Sequence, residues 1–249
     1  LLAGAVALLV TFLVIEARSR SPLMPLELFR LRNVATANVV GVLWAAAMFA
    51  WFFLSALYLQ LVLGYSPLEV GLSFLSANLI MAVFSLGLSA KLVLRFGFRA
   101  PLAIGLALVA VGLLLFARAP VDGTFAVDVL PSMTLLGLGA GLAFNPVLLA
   151  AMSDVKASDA GLASGVVNTS FMMGGALGLA VLASLAAGRT NELVASGADP
   201  LLALNGGYHL AFVVGAVFAA AASVLSAALI RVRRPSFNEE EMPVPAGAH

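Results

Sequence analysis

Apolar residues fall into seven long runs along this chain, at 1–15, 34–60, 68–92, 100–118, 127–152, 160–187 and 208–231. A helix needs roughly 20 apolar residues to cross a bilayer, so every run after the first predicts a spanning helix. Run 1–15 reads as the end of a truncated one. Most connections are short, which makes neighbouring helices antiparallel. The longer 16–33 connection, EARSRSPLMPLELFRLRN, mixes Leu, Met and Phe with four arginines and suits a cytoplasmic interfacial stretch. The tail, 232–249, reads as disordered and cytoplasmic. Local signals fit these bounds. Ser66, Pro67 and Glu69 form a helix start with a capping box. Ser158 and Asp159 open the 160–187 run, and Pro101 opens 100–118.

Polar residues inside the runs divide the helices. Asn38, Asn78, Asn145 and Asn168 mark four inner segments, since an unpartnered amide in hydrocarbon is costly. The 100–118 core has no polar side chain between Pro101 and Ala117, and the 208–231 core has only Ser223 and Ser226. Those two are expected to face lipid. The 135–182 stretch is the centre of the pattern, two apolar runs around a short turn at 153–160. Asn145 and Asn168 lie equally far from that turn's centre, so they share one depth. They either bond each other or face something polar within the protein.

At 100° per residue, Asn38 shares a face with Phe49 and Phe52, while Trp44 and Trp51 turn well away from it. Asn168 shares a face with Gly161, Ser164 and Met172. The resulting substrate-cavity candidates are Asn38, Phe49, Phe52, Asn78, Asn145, Asn168 and Met172. Interhelical clamping by the asparagines and ordinary packing by Phe and Met are the competing readings. The glycine pairs Gly137/Gly141, Gly161/Gly165 and Gly174/Gly178 read as helix-packing positions. Pro146 removes the hydrogen bond to the Leu142 carbonyl and predicts a helix kink.

Composition settles the class. The chain is 62% hydrophobic and only 10% charged, with mean hydropathy +1.09, so it is an all-α polytopic membrane protein rather than one or two soluble domains. It has no cysteine, hence no disulfide framework. Net charge is +1, with nothing that points to nucleic acid. Of 13 Lys and Arg residues, only Arg118 and Arg189 fall on one set of connections. The other eleven fall on the set that includes the C-terminal end. That bias makes the rich side and the C-terminus cytoplasmic, in a multi-pass protein of the cell membrane. Leu1 lies inside an apolar run without a preceding methionine or basic start, so the chain reads as a piece of a longer protein.

No ionisable residue lies deep in any run. No metal-ligand set, phosphate loop or Ser-His pair is present. The chain is therefore expected to be no enzyme and to need no cofactor or metal. A proton-coupled carrier needs a buried carboxylate, which must then lie in a missing N-terminal part.

Several stretches carry a family likeness. They are Pro25-Leu26-Glu27-Leu28-Phe29-Arg30, the run from Tyr58 through Gly64-Tyr65-Ser66-Pro67-Leu68-Glu69 to Leu72, and Ala160-Gly161-Leu162-Ala163-Ser164-Gly165-Val166-Val167-Asn168-Thr169 with Gly174-Gly175-Ala176-Leu177-Gly178. With these, the chain resembles the C-terminal portion of a major facilitator superfamily transporter. The likeness is to its fourteen-helix drug:proton antiporter branch. The resemblance implies a C-terminal six-helix bundle over 34–231, preceded by the end of a linker helix. It also implies that the first, second, fourth and fifth bundle helices lie nearest a central cavity. The implied function is proton-coupled efflux of small amphipathic organic substrates across a lipid bilayer. Two alternatives are a dedicated metabolite exporter and a non-transporting scaffold subunit. The 90–99 stretch is similar to the superfamily's basic inner loop, which implies an inner-gate role for Arg95, Gly97 and Arg99. Leu94 stands at that loop's acidic position, leaving its charge clamp incomplete. Phe171-Met172 replaces the Arg-Gln of many relatives.

Overall fold

The computed structural model describes Thr11 and residues 31–230. The expected helix end over 1–15, most of the 16–33 connection and the tail over 232–249 lie outside the described residues. The described chain is an all-α bundle of six helices, each long and apolar enough to cross a membrane. They are α1 (Arg32–Val62), α2 (Pro67–Phe96), α3 (Arg99–Phe116), α4 (Phe125–Met152), α5 (Ala160–Ala195) and α6 (Pro200–Leu229).

Four of these helices lie within a few residues of the apolar runs. The last two differ. The 188–207 stretch predicts a connection, yet α5 continues to Ala195 and α6 already begins at Pro200. The polar sequence after Gly188 is the exposed end of a helix, with Arg189 and Glu192 paired one turn apart at 3.3 Å. Asn205-Gly206-Gly207 looks like a turn in sequence, but Gly207 sits where α6 crosses α5. A Cβ there would overlap the Ala186 carbonyl. The missed start signal is Asp199-Pro200: Asp199 accepts from the backbone N–H of Leu201 and Leu202, with Pro200 behind it in the first turn.

Other helix ends follow local chemistry. Ser66 and Glu69 form the reciprocal capping box at the start of α2. Pro101 lies in the first turn of α3. Ser158 and Asp159 form a short 3₁₀ turn instead of a side-chain cap: the Ser158 hydroxyl donates to the Asp159 carboxylate, and neither caps α5.

α3 lies between α4 and α6, while α1 packs on α5, α6 and α4, and α2 leans mainly on α4. Glycines set the close crossings. Gly105 of α3 meets Gly139 of α4, Gly137 and Gly141 lie on the α2 backbone at Ala77 and Met81, and Gly174 and Gly178 lie on Val42 and Ala46 of α1. Small residues let helix backbones approach where lipid is as apolar as leucine and burial alone drives little. The pair Gly161/Gly165 differs from expectation: a Cβ at either would meet nothing within 4 Å.

The helices expected to face lipid each have two faces. α3 buries Leu102, Leu106, Val109, Leu113 and Phe116 in the bundle while Ile104, Val111 and Leu114 stay exposed. Ser223 of α6 donates to the Ala103 carbonyl of α3 at 2.7 Å, so it serves their packing. α2 is the least covered helix, exposing Leu72, Leu75, Leu79, Val83 and Leu86.

Hydrogen bonds tie both ends of the bundle. At the basic end, Arg32 donates to the Leu229 carbonyl at 3.1 Å and Asn33 to the Ser153 hydroxyl at 3.2 Å. At the opposite end, three side chains hold the carbonyls just after α3. Tyr58 donates to Pro120 at 2.7 Å and Asn205 to Ala119 at 3.0 Å, and His209 Nε2 lies 2.8 Å from that same Ala119 oxygen.

Candidate functional site

A cleft of about 480 Å³ opens between the basic-end halves of α1, α4 and α5. That falls within the range of about 300–1,000 Å³ typical of small-molecule sites. α1 contributes Ala37, Asn38, Gly41 and Trp44; α4 contributes Phe144, Val147, Leu148 and Met152; α5 contributes Ser164, Gly165, Val167, Asn168, Phe171 and Met172. None of these side chains is charged. Met172 is half exposed and Asn168 is exposed.

Aromatic rings form one wall. Trp44 lies 5.9 Å from Phe144 and 5.4 Å from Phe171, both edge to face. Phe49 continues the series, 6.3 Å from Phe171. The wall also contains unused polar capacity. Asn38 donates to the Val34 carbonyl at 2.8 Å within its own helix, but its Oδ1 is buried and accepts nothing from the protein. The Nε1 of Trp44 is likewise buried and unpaired. Such groups are expensive to leave unsatisfied.

Three of the seven cavity candidates therefore meet: Asn38, Asn168 and Met172 share this cleft. Phe49 and Phe52 line a separate groove of about 460 Å³ further along α1, with Met48, Phe53, Ala56 and Leu179. There Phe52 stacks on Phe74, centroids 5.4 Å apart. Asn78 is exposed on α2 and borders neither space.

Asn145 and Asn168 do not bond each other. Asn145 turns to α2, donating to the Ser85 carbonyl at 2.8 Å and lying 3.3 Å from its hydroxyl. Ser85 belongs to a π-helical turn, Phe84–Leu88. Ser89, just after it, answers Pro146: the carbonyl of Leu142, deprived of its helical donor, receives the Ser89 hydroxyl at 3.4 Å. α4 runs through Pro146 to Met152. This polar seam is what lets α4 carry a mid-helix proline against α2.

Arg95, Gly97 and Arg99 form the tight α2–α3 turn at the basic end. Gly97 has φ of +74°, which a side chain would resist, and its N–H closes α2 onto Val93 at 2.8 Å. The Arg95 guanidinium lies 5.2 Å from the centre of the Phe96 ring, and Leu94 is almost fully exposed. Arg189–Glu192 is the only ion pair among the described residues, so no acidic partner holds this turn there.

The Major Facilitator Superfamily model matches residues 1–179. The chain belongs to that superfamily. Its relatives include the cephamycin export protein CmcT of Amycolatopsis lactamdurans, 37% identical over 94% of this chain and 47% of that protein. The puromycin resistance protein pur8 of Streptomyces alboniger is 33% identical over 92% of this chain and 46% of that protein. The multidrug resistance protein Stp of Mycobacterium tuberculosis is 34% identical over 71% of this chain and 32% of its own length. The chain thus spans about half the length, or less, of the curated relatives it matches. The likeness to drug-exporting superfamily members, read first from short motifs, holds over most of the described helices.

For a superfamily bundle, the informative residues that sequence reasoning missed are Trp44, Phe144 and Phe171. Trp44 was expected to point well away from Asn38, yet both stand in one cleft. The cleft wraps around α1 between α4 and α5, so it takes more than a single helical face. The staircase Asn38, Gly41, Trp44, each three residues on, is the signal that marks this wrap.

Proposed function

We propose that this chain is the C-terminal bundle of an exporter of small amphipathic organic molecules, working by alternating access between two bundles. Proton entry drives it, and the coupling carboxylate belongs to the part of the protein outside this chain. The basic end and the C-terminus face the cytoplasm of a cell-membrane protein, in keeping with the lysine and arginine bias. The observation that carries this reading is the uncharged cleft between α1, α4 and α5, sized for a drug-like molecule and furnished with Asn38, Asn168 and Met172. The functions for which the relatives are named, export of cephamycin and resistance to puromycin or to several drugs, support it. Exposed Asn78 supports it too, because an amide on an open membrane face calls for a protein or aqueous neighbour. Arg95 and Arg99 steady the cytoplasmic gate.

The test is dye efflux from cells carrying the complete transporter, with and without a protonophore. A panel of unrelated amphipathic compounds should be pumped out, collapse of the proton gradient should stop it, and Asn168→Leu should weaken it at normal protein levels. Export that survives the protonophore overturns proton coupling. A response to one metabolite class alone replaces this reading with a dedicated exporter.

A further inference from the structure

A groove of about 390 Å³ opens between α5 and α6, with α1 as its floor. Val42, Leu43 and Ala46 form the floor, Met173 and Leu177 the α5 wall, and Phe218 the α6 wall; Ser170 is the only polar side chain in the lining. At 100° per residue these positions fall on the opposite sides of α1 and α5 from the residues that line the cleft. The groove therefore turns away from the cleft. We infer that this groove, together with Arg32 at its basic end, is a binding site for one anionic phospholipid of the leaflet at that end.

Helical register joins the two parts. Arg32, Ala35, Val39, Val42, Leu43 and Ala46 lie within one stripe of α1 about 100° wide. Arg32 and Val39 are exposed, and Ala35 is partly so. The neighbouring helices leave this stripe open. α5 and α6 meet at the far end of the bundle, where a Cβ on Gly207 would overlap the Ala186 carbonyl and one on Gly215 would touch Leu182. Toward the basic end α5 leans to the other side, with Ala163 packed beside Val34 and Met152.

Depth and charge both fit a phospholipid. The floor lies 10–14 residues beyond Arg32, about 15–21 Å at 1.5 Å each. Half of a whole bilayer is about 20–22 Å, so a phosphate held at Arg32 places the end of its acyl chain in the groove. The Nε of Arg32 donates to the Leu229 carbonyl at 3.1 Å, and its two terminal nitrogens have no partner among the described residues. Those nitrogens match phosphate oxygens. α1 also starts with no side-chain cap and no acidic residue in its first turn, which leaves the positive end of its dipole to favour an anion there.

The experiment uses the complete transporter in lipid nanodiscs. Two photoactivatable probes, phosphatidylglycerol and phosphatidylcholine, each carry a diazirine near the end of one acyl chain, and mass spectrometry of the digested protein locates the label. Phosphatidylglycerol should label Met173, Leu177 or Phe218 about fivefold more than phosphatidylcholine does, the worth of roughly one arginine beside an anionic headgroup. Val111, exposed on α3 at similar depth, should show no preference and serves as the bulk-lipid reference. Arg32→Gln should abolish the preference and Arg32→Lys should keep it. Ser170→Phe, which narrows the groove, should cut labelling by both probes at least threefold in a protein that melts with wild type. Equal labelling by the two probes in wild type overturns the inference, and that comparison stands whether or not the variants fold. A groove labelled no more than Val111 marks bulk lipid and overturns it too. So does an unlabelled groove, which another part of the protein then covers, or a preference that survives Arg32→Gln.

Discussion

Two glycine-to-alanine changes should move stability in opposite directions. At Gly139, an added methyl would lie 2.5 Å from the Gly105 carbonyl oxygen and 2.8 Å from the Val109 nitrogen. Tolerable carbon–oxygen contacts begin near 3.3 Å, so α3 and α4 must part by roughly 0.8 Å. A gap of about that size forfeits between a quarter and a half of each dispersion contact it opens. Leu102, Leu106 and Val109 on one side, and Ala140 and Ala143 on the other, are buried in this region. Overpacking of this kind costs about 1–3 kcal/mol, against about 1 kcal/mol returned by alanine's better helix propensity. The net loss is up to about 2 kcal/mol, or a melting temperature lower by up to roughly 8 °C at about 2–4 °C per kcal/mol. At Gly165 the added methyl meets nothing within 4 Å, so only the propensity gain remains, up to about 1 kcal/mol. Thermal unfolding of the two purified variants beside wild type reads the difference. Melting of both on the same side of wild type would refute the assignment of Gly139 to packing and Gly165 to open space.

Asn145→Leu removes the bond to the Ser85 carbonyl and should lower stability by about 0.5–1.7 kcal/mol, measured by thermal unfolding; an unchanged midpoint would deny the α2–α4 clamp. Asp199→Ala should cost about 1 kcal/mol through the lost α6 cap, with hydrogen exchange rising first at Leu201 and Leu202. Tyr58→Phe deletes the donor to Pro120 and should cost about 1 kcal/mol, read in the same melting assay.

Much of the architecture is legible from hydropathy because lipid imposes a simple rule: every backbone amide must be paired within a helix. Four runs therefore match their helices closely. The rule stops at the headgroups, where polar residues continue a helix as readily as they end one, and so residues 188–207 misled. Side-chain direction is harder still. Periodicity places Asn145 on a face, but whether that face meets a void or Ser85 depends on how α2 lies against α4. The π turn at Phe84–Leu88 and the donor Ser89 supplies to Leu142 arise from tertiary contact and leave no one-dimensional trace. Asn38, Asn168 and Met172 converge because α1 and α5 are neighbours, which is a property of the fold rather than of either segment.

The length of α5 has a practical consequence. Its 36 residues extend about 54 Å at 1.5 Å each, beyond the roughly 40–45 Å of a whole bilayer. With the start of α6 fixed to it at Gly207 and Thr190, the excess forms a stiff elbow ending at Ser196–Asp199. Small transporters wrapped in detergent offer electron microscopy little to align on. A binder raised against that elbow would rotate with the bundle as one body, giving image alignment a fixed landmark and reporting the tilt of this half directly.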